Sequence, residues 1–407
     1  MTTRNGAAQP IFPVRAPVLT TSAQEVYKKE TSSLQPAPYR MPTFTPAGQH
    51  FLLHDAEHRA LARYKGESRM KVRTIALSAC LAVAQLIVPG LVRAQYQVTN
   101  LVSNQEKTAN TTDPLLVNAW GLTHAPGSPW WVSDEGSGWS TLYDNHGTKE
   151  SLDVFIPTKG EDGPGQPTGT VFNGSSDFKI KGSPAVFLFA TLDGTISGWA
   201  PSVNPNAAMI AVTTPGASYT GLAISSKTSG NVLLAADNAN NKIDIYDAAF
   251  KLVKSVTDTT LPAGFSAFGI QDFGGLVYVS FAASSGASGG FVDIFDEDGN
   301  LLKQLAHGSP LNQPWGFAVA PKNFGEFSNT LLVSNNTNTG TINAFNAVTG
   351  QFVGTLKDDN GEVIHIDQLW AIQFGDGIGS NGPTNHLFFS AGPDNNFAGL
   401  FGVITAK

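Results

Sequence analysis

Beyond Arg93 the chain contains no arginine, and across all 407 residues it contains one cysteine, Cys80. One cysteine permits no internal disulfide framework. A mature chain that loses the segment carrying it has neither a thiol nucleophile nor a thiolate metal site. Charged residues make up only 14% of the sequence, too few for long solvated surface helices. Glycine, at 42 residues, and proline, at 24, are plentiful instead. That composition suits many short strands joined by tight turns, an all-β chain.

Charge is uneven along the sequence. Residues 1–94 hold 12 of the 25 Lys+Arg and 5 of the 32 Asp+Glu, so residues 95–407 carry 13 bases, all lysine, against 27 acids, a formal net charge of −14. Arginine grips phosphate and carboxylate with a planar fork, and an acidic segment without it is poorly suited to nucleic acid, nucleotides or anionic membrane. The expected partners are a neutral small molecule, a glycan or a protein.

From Met70 the chain reads as a secretion leader: Lys71 and Arg73, an apolar stretch from 74 to 92, then "VRA" before Gln95. Read as a membrane span, that stretch is marginal, because Pro89 and Gly90 interrupt it. Three segments are therefore expected. Residues 1–69 are a disordered extension or lie upstream of the true start, 70–94 are a cleaved signal peptide, and 95–407 are the functional domain, secreted or periplasmic with no stable membrane association.

Within 95–407 one motif recurs six times: "NAWGLTHAP" at 118, "QPTGTVFNG" at 166, "SYTGLAIS" at 218, "SAFGIQDFG" at 266, "QPWGFAVAP" at 313 and "QLWAIQFGD" at 368. The central position falls at Gly121, Gly169, Gly221, Gly269, Gly316 and Ala371, intervals of 48, 52, 48, 47 and 55 residues. Such periods belong to propeller blades. Each copy continues with a second and a third apolar run, and five add a fourth, the pattern of a four-stranded antiparallel blade that cannot bury both faces alone. The sixth copy ends without a fourth run, while "YQVTNLVS" at 96–103 is unassigned. The sequence predicts a six-bladed β-propeller whose N-terminal strand completes the last blade and removes two exposed edges.

The ordered set "DPLLVNAWGL", "WWVSDEGSGWSTLYD", "DGTISGWA", "GFVDIFDEDGNLL" and "PWGFAVAPKNFGEFSNTLLVSN" resembles a family of secreted bacterial six-bladed propellers of unknown function, related to NHL-repeat proteins. The resemblance implies the fold and export, and it brings no activity or catalytic residues.

Candidate chemistry is sparse. "GASGG" at 286–290 matches the Gly-x-Ser-x-Gly of serine hydrolases, but Ser288 lies between two strand runs rather than at a strand-to-helix elbow. "DIFDEDGN" at 293–300 has the acid density of a calcium loop, yet the other copies place hairpin turns there and the closing Glu is missing. No catalytic residue is assigned.

Stacking the copies gives a more informative pattern. Asn118, Gln166, Ser218, Ser266, Gln313 and Gln368 precede Trp120, Thr168, Thr220, Phe268, Trp315 and Trp370 by two positions. First strands start near the channel, so Asn118, Trp120, Gln166, Gln313, Trp315, Gln368 and Trp370 are expected to line one mouth and bind a ligand. The structural reading of the same residues is that amides satisfy backbone groups at strand starts and tryptophans pack between blades. Turns between second and third strands supply Asp134, Asp237, Asn335 and Asp394. If these converged, they would hold a divalent cation, calcium being the one considered, as in a metal-dependent lactonase of the six-bladed gluconolactonase type. No other cofactor is expected, and a non-catalytic binding or interaction module is preferred.

Overall fold

In the second strand of the third repeat, Val232–Asp237, every residue is buried, and successive side chains serve different neighbours. Leu233 and Ala235 join the apolar cluster shared with the preceding repeat, whereas Leu234 and Ala236 join the one shared with the next. Side chains alternate across a strand, so a strand buried on both faces needs an unbroken apolar run. The core is accordingly divided into six slabs, one between each pair of adjacent blades.

A computed structural model describes residues 95–407 apart from 161–162 and 228–229. The expected extension 1–69 and leader 70–94 lie outside the described residues. The chain forms a six-bladed β-propeller with blades at 119–155, 167–213, 219–256, 265–307, 314–355 and 369–406. Five blades are four-stranded antiparallel sheets, and the first strands of all six blades touch in a closed ring around the axis.

The sixth blade is completed as the sequence predicts. Tyr96–Ser103 pairs antiparallel with Leu400–Ala406, from Tyr96 opposite Ala406 to Ser103 opposite Leu400. Tyr96 also ties this strand to blade five. Its hydroxyl donates to Phe324 O at 2.9 Å and accepts from Phe327 N at 3.1 Å. Two features were not anticipated: Thr111–Thr112 runs parallel outside the closing strand, and a small hairpin, Lys179–Ile180 with Ser183–Pro184, is inserted in blade two.

The recurring glycine has a steric cause. A Cβ on Gly121 would sit 2.2 Å from Thr168 O, and one on Gly269 would sit 1.9 Å from Trp315 O. First strands of neighbouring blades approach too closely there for any side chain. At the same dipeptide the pairing register shifts, between Ala119 and Leu122 in blade one and between Leu369 and Ile372 in blade six. A bulge of this kind re-aims the residue it contains, here the one before the glycine position. Among the described residues no helix is long and apolar enough to cross a membrane.

Candidate functional site

The bulged residues meet on the axis. Trp120 stacks on Trp370 with ring centroids 3.7 Å apart, Trp315 stands edge-on to both at 6.4 and 5.9 Å, and Phe268 packs against Trp370 at 5.7 Å. Blades two and three contribute only Thr168 and Thr220 at this level, and Trp315 fills the space they leave, its Nε1 donating to Thr220 O at 3.0 Å. Trp120, Trp315 and Trp370 therefore come together as neighbours, but they are 6%, 8% and 3% exposed. They form a plug across the channel instead of the accessible aromatic rim expected from sequence. The three indoles are buried and Phe268 is half-buried, with Trp315 also bounding the cavity on the far side.

The amides around this end are bound to their surroundings. Asn118, 2% exposed, accepts from Trp370 Nε1 at 3.0 Å and donates to Glu135 Oε2 at 2.7 Å. Gln166, from blade two, donates to the other Glu135 oxygen at 2.6 Å, so one carboxylate joins two blades. Gln313 donates to Ala283 O and Ala287 O of blade four, and Gln368 donates to Asn338 at 2.8 Å. Asn118, Gln313 and Gln368 have φ of 46°, 51° and 48°, in the left-handed region, and each precedes a tryptophan of the plug by two positions. Left-handed backbone followed by a bulge is how these three blades direct an indole onto the axis.

The four candidate metal donors are not gathered. Asp134 is fully buried, accepts from Thr141 N at 3.1 Å, and is pushed well above the usual carboxylate range, first by burial. Asp237 accepts from the backbone N–H groups of Ser218 and Asn240 and from the Asn240 side chain. Asn335 accepts from Asn312 N and donates to Pro310 O and Thr341 Oγ1, while Asp394 is exposed on a loop. Among the described residues no group of three or more His, Cys, Asp or Glu is placed to hold a metal ion. The 293–300 segment is a turn in which Asp296 caps Asp298 N and Asn300 N, and Ser288 lies on an exposed loop.

On the other side of the plug lies a partly open cavity of about 170 Å³, bounded by the later halves of the first strands and by Trp315. Its polar residues are Thr123, Thr170, Gln271, Asp272 and Gln373. Asp272 accepts from Ser225 Oγ at 3.1 Å and Gly275 N at 3.0 Å, and burial raises its carboxyl above the usual range. Thr170 is 6% exposed and its Oγ1 has no hydrogen-bond partner among the described residues. Gln271 and Gln373 are half-buried, and their amides bond to nothing among the described residues. The free carboxamides of the channel are thus at the end opposite the expected rim.

Sequence reasoning passed over these residues although they lie inside the repeated motif. Three positions after the plug residue the copies read Thr123, Val171, Ala223, Gln271, Ala318 and Gln373. Two glutamines where other blades carry small or apolar residues were the available signal.

No protein-family model matches the chain. It is similar to uncharacterized protein R648 of Acanthamoeba polyphaga mimivirus, 28% identical over 334 residues that cover 76% of this chain and 80% of that protein. Uncharacterized protein L690 of the same virus is 26% identical over 338 residues, covering 76% and 86%. Among solved structures, a streptogramin B lyase matches with 11% identity and a TM-score of 0.46, covering 77% of this chain and 98% of that one.

Proposed function

We propose that this chain is an exported, non-catalytic binding module whose small-molecule ligand occupies the channel on the strand-end side of the tryptophan plug. One observation carries this reading: Gln271, Gln373 and Thr170 present hydrogen-bonding groups to a cavity and have no partner for them among the described residues. Buried polar groups are ordinarily paired, and those left unpaired in a concave site are available to a ligand. In this reading the rim residues Asn118, Gln166, Gln313 and Gln368 hold the plug and the blades in place. Export rests on the leader pattern at 70–94 and on the change of charge balance at its end.

A thermal-shift screen of neutral, anionic and cationic metabolites tests the binding role, since a ligand that binds only the folded state raises its melting temperature by mass action. Hits should disappear in the Gln271→Ala, Gln373→Ala double variant and persist in Gln313→Ala. Hits lost only in the rim variant would move the site back to the expected mouth. N-terminal sequencing of exported protein should begin at Gln95.

A further inference from the structure

The chemistry around the blind cavity narrows the ligand class, an inference that rests on the channel being the binding site. We infer that the cavity takes one neutral polyhydroxylated six-membered ring, a single sugar residue or cyclitol. Size comes first: an engineered cavity of about 150 Å³ holds one benzene ring, and this one measures about 170 Å³. One ring can seat in it, and because the cavity is partly open the ring's substituents can reach the mouth.

The lining then selects among rings. No Lys, Arg or His is among the residues that bound the cavity, and the one carboxylate, Asp272, disfavours an anion. The Oδ2 of Asp272 is held by Ser225 and Gly275, which fixes the carboxyl in the wall, and an amino sugar is the comparator for any attraction it exerts on a cation. Two carboxamides each offer donors and an acceptor, and the Thr170 hydroxyl offers one of each. These suit hydroxyl groups, which also donate and accept. The remaining wall, with Trp315 at one end and Ile270 and Ile372 beside the glutamines, is apolar and fits the C–H face of such a ring. A purely apolar ring would leave Thr170 and the glutamines unpaired.

Calorimetric titration of the full chain with glucose, galactose, mannose, N-acetylglucosamine and myo-inositol tests the inference, with gluconate and glucosamine as charged comparators. At least one neutral ring should bind saturably at millimolar concentration, and its affinity should fall roughly tenfold in Gln271→Ala and in Gln373→Ala, the loss expected for about one hydrogen bond. Thr170→Val, close to isosteric, should weaken the same ligand. Melting curves control for folding, which these variants should retain because the amides hold nothing in place. Gluconate or glucosamine binding as tightly as the neutral rings would overturn the inference, as would neutral binding unchanged in all three variants, or none at all. If instead a charged or apolar compound binds and the glutamine variants abolish it, the ligand class is wrong while the site stands. If every bound compound is insensitive to Gln271 and Gln373, the site itself is wrong.

Discussion

Trp120 of the first blade and Trp370 of the last lie face to face, 3.7 Å between ring centroids and 18° from parallel, so the ring's closing seam is joined at its axis as well as at its rim. The two indoles differ in their hydrogen bonds. Trp370 Nε1 donates to Asn118 Oδ1 at 3.0 Å, whereas Trp120 Nε1 is buried with no partner among the described residues. Replacing either by Phe removes similar volume, but only Trp370→Phe also strands the buried Asn118 oxygen. Trp370→Phe should therefore be the more destabilising by about 1–3 kcal/mol in urea unfolding. Equal losses would mean the Asn118 bond contributes nothing.

The motif glycine leads to a second expectation. Gly269→Ala would place a methyl 1.9 Å from Trp315 O and force two first strands apart, which should cost on the order of 2–5 kcal/mol. The reverse change at the sixth position, Ala371→Gly, should cost about 1 kcal/mol or less. Chemical denaturation of both proteins separates these values, and a Gly269→Ala protein as stable as its parent would refute the close-approach explanation.

Ring closure at the circumference is tested by Tyr96. Tyr96→Phe keeps the ring packed against Phe324 and Phe327 but removes both hydrogen bonds to blade five, and should lower stability by about 1–3 kcal/mol. Deleting residues 95–104 should do far more, stripping the outer strand of blade six and producing aggregation through its bare edge. A deletion protein with the parent's melting curve would contradict the closure.

The interface of blades three and four carries a pH dependence. Asp293 is fully buried, and burial, together with the neighbouring Asp258 carboxyl, pushes it up to about 8. The unfolded chain ionises this group near its ordinary value of 3.8, so between there and about 8 the folded state holds a proton that the unfolded state has lost. Stability from this group is present at low pH and declines as pH rises through that window. Asp293→Asn should flatten the decline and leave the variant the more stable protein at pH above about 8, by a few kcal/mol. Urea midpoints followed across pH measure this, and parallel curves for the two proteins would contradict it.

Much of the architecture was legible because its causes are local and repeat. Gly121, Gly169, Gly269 and Gly316 are required where first strands meet most closely, apolar runs such as 232–236 are required wherever a strand is buried on both faces, and a last repeat lacking a strand calls for "YQVTNLVS". The site was less legible because an amide's availability depends on the neighbouring blade. Gln166 and Gln271 are the same kind of signal in one sequence. Only the fold shows that Gln166 reaches Glu135 of another blade while Gln271 reaches no partner among the described residues. The tryptophans were placed correctly as neighbours but not in depth, since register shifts such as that between Ala119 and Leu122 turn them inward.

If a ligand is held beyond the plug, beside Gln373, and the Gln166 side of the channel is a frame, blocking the two sides should have opposite effects. Because residues 95–407 contain no cysteine, a Cys80→Ser background allows Gln373→Cys or Gln166→Cys to be alkylated singly with a bulky maleimide. Each labelled protein is then compared with its unlabelled form in the thermal-shift screen. Labelling Gln373→Cys should abolish every ligand-induced rise in melting temperature, and labelling Gln166→Cys should leave all of them intact. Retention of ligand shifts after labelling at 373, with their loss after labelling at 166, would contradict the account.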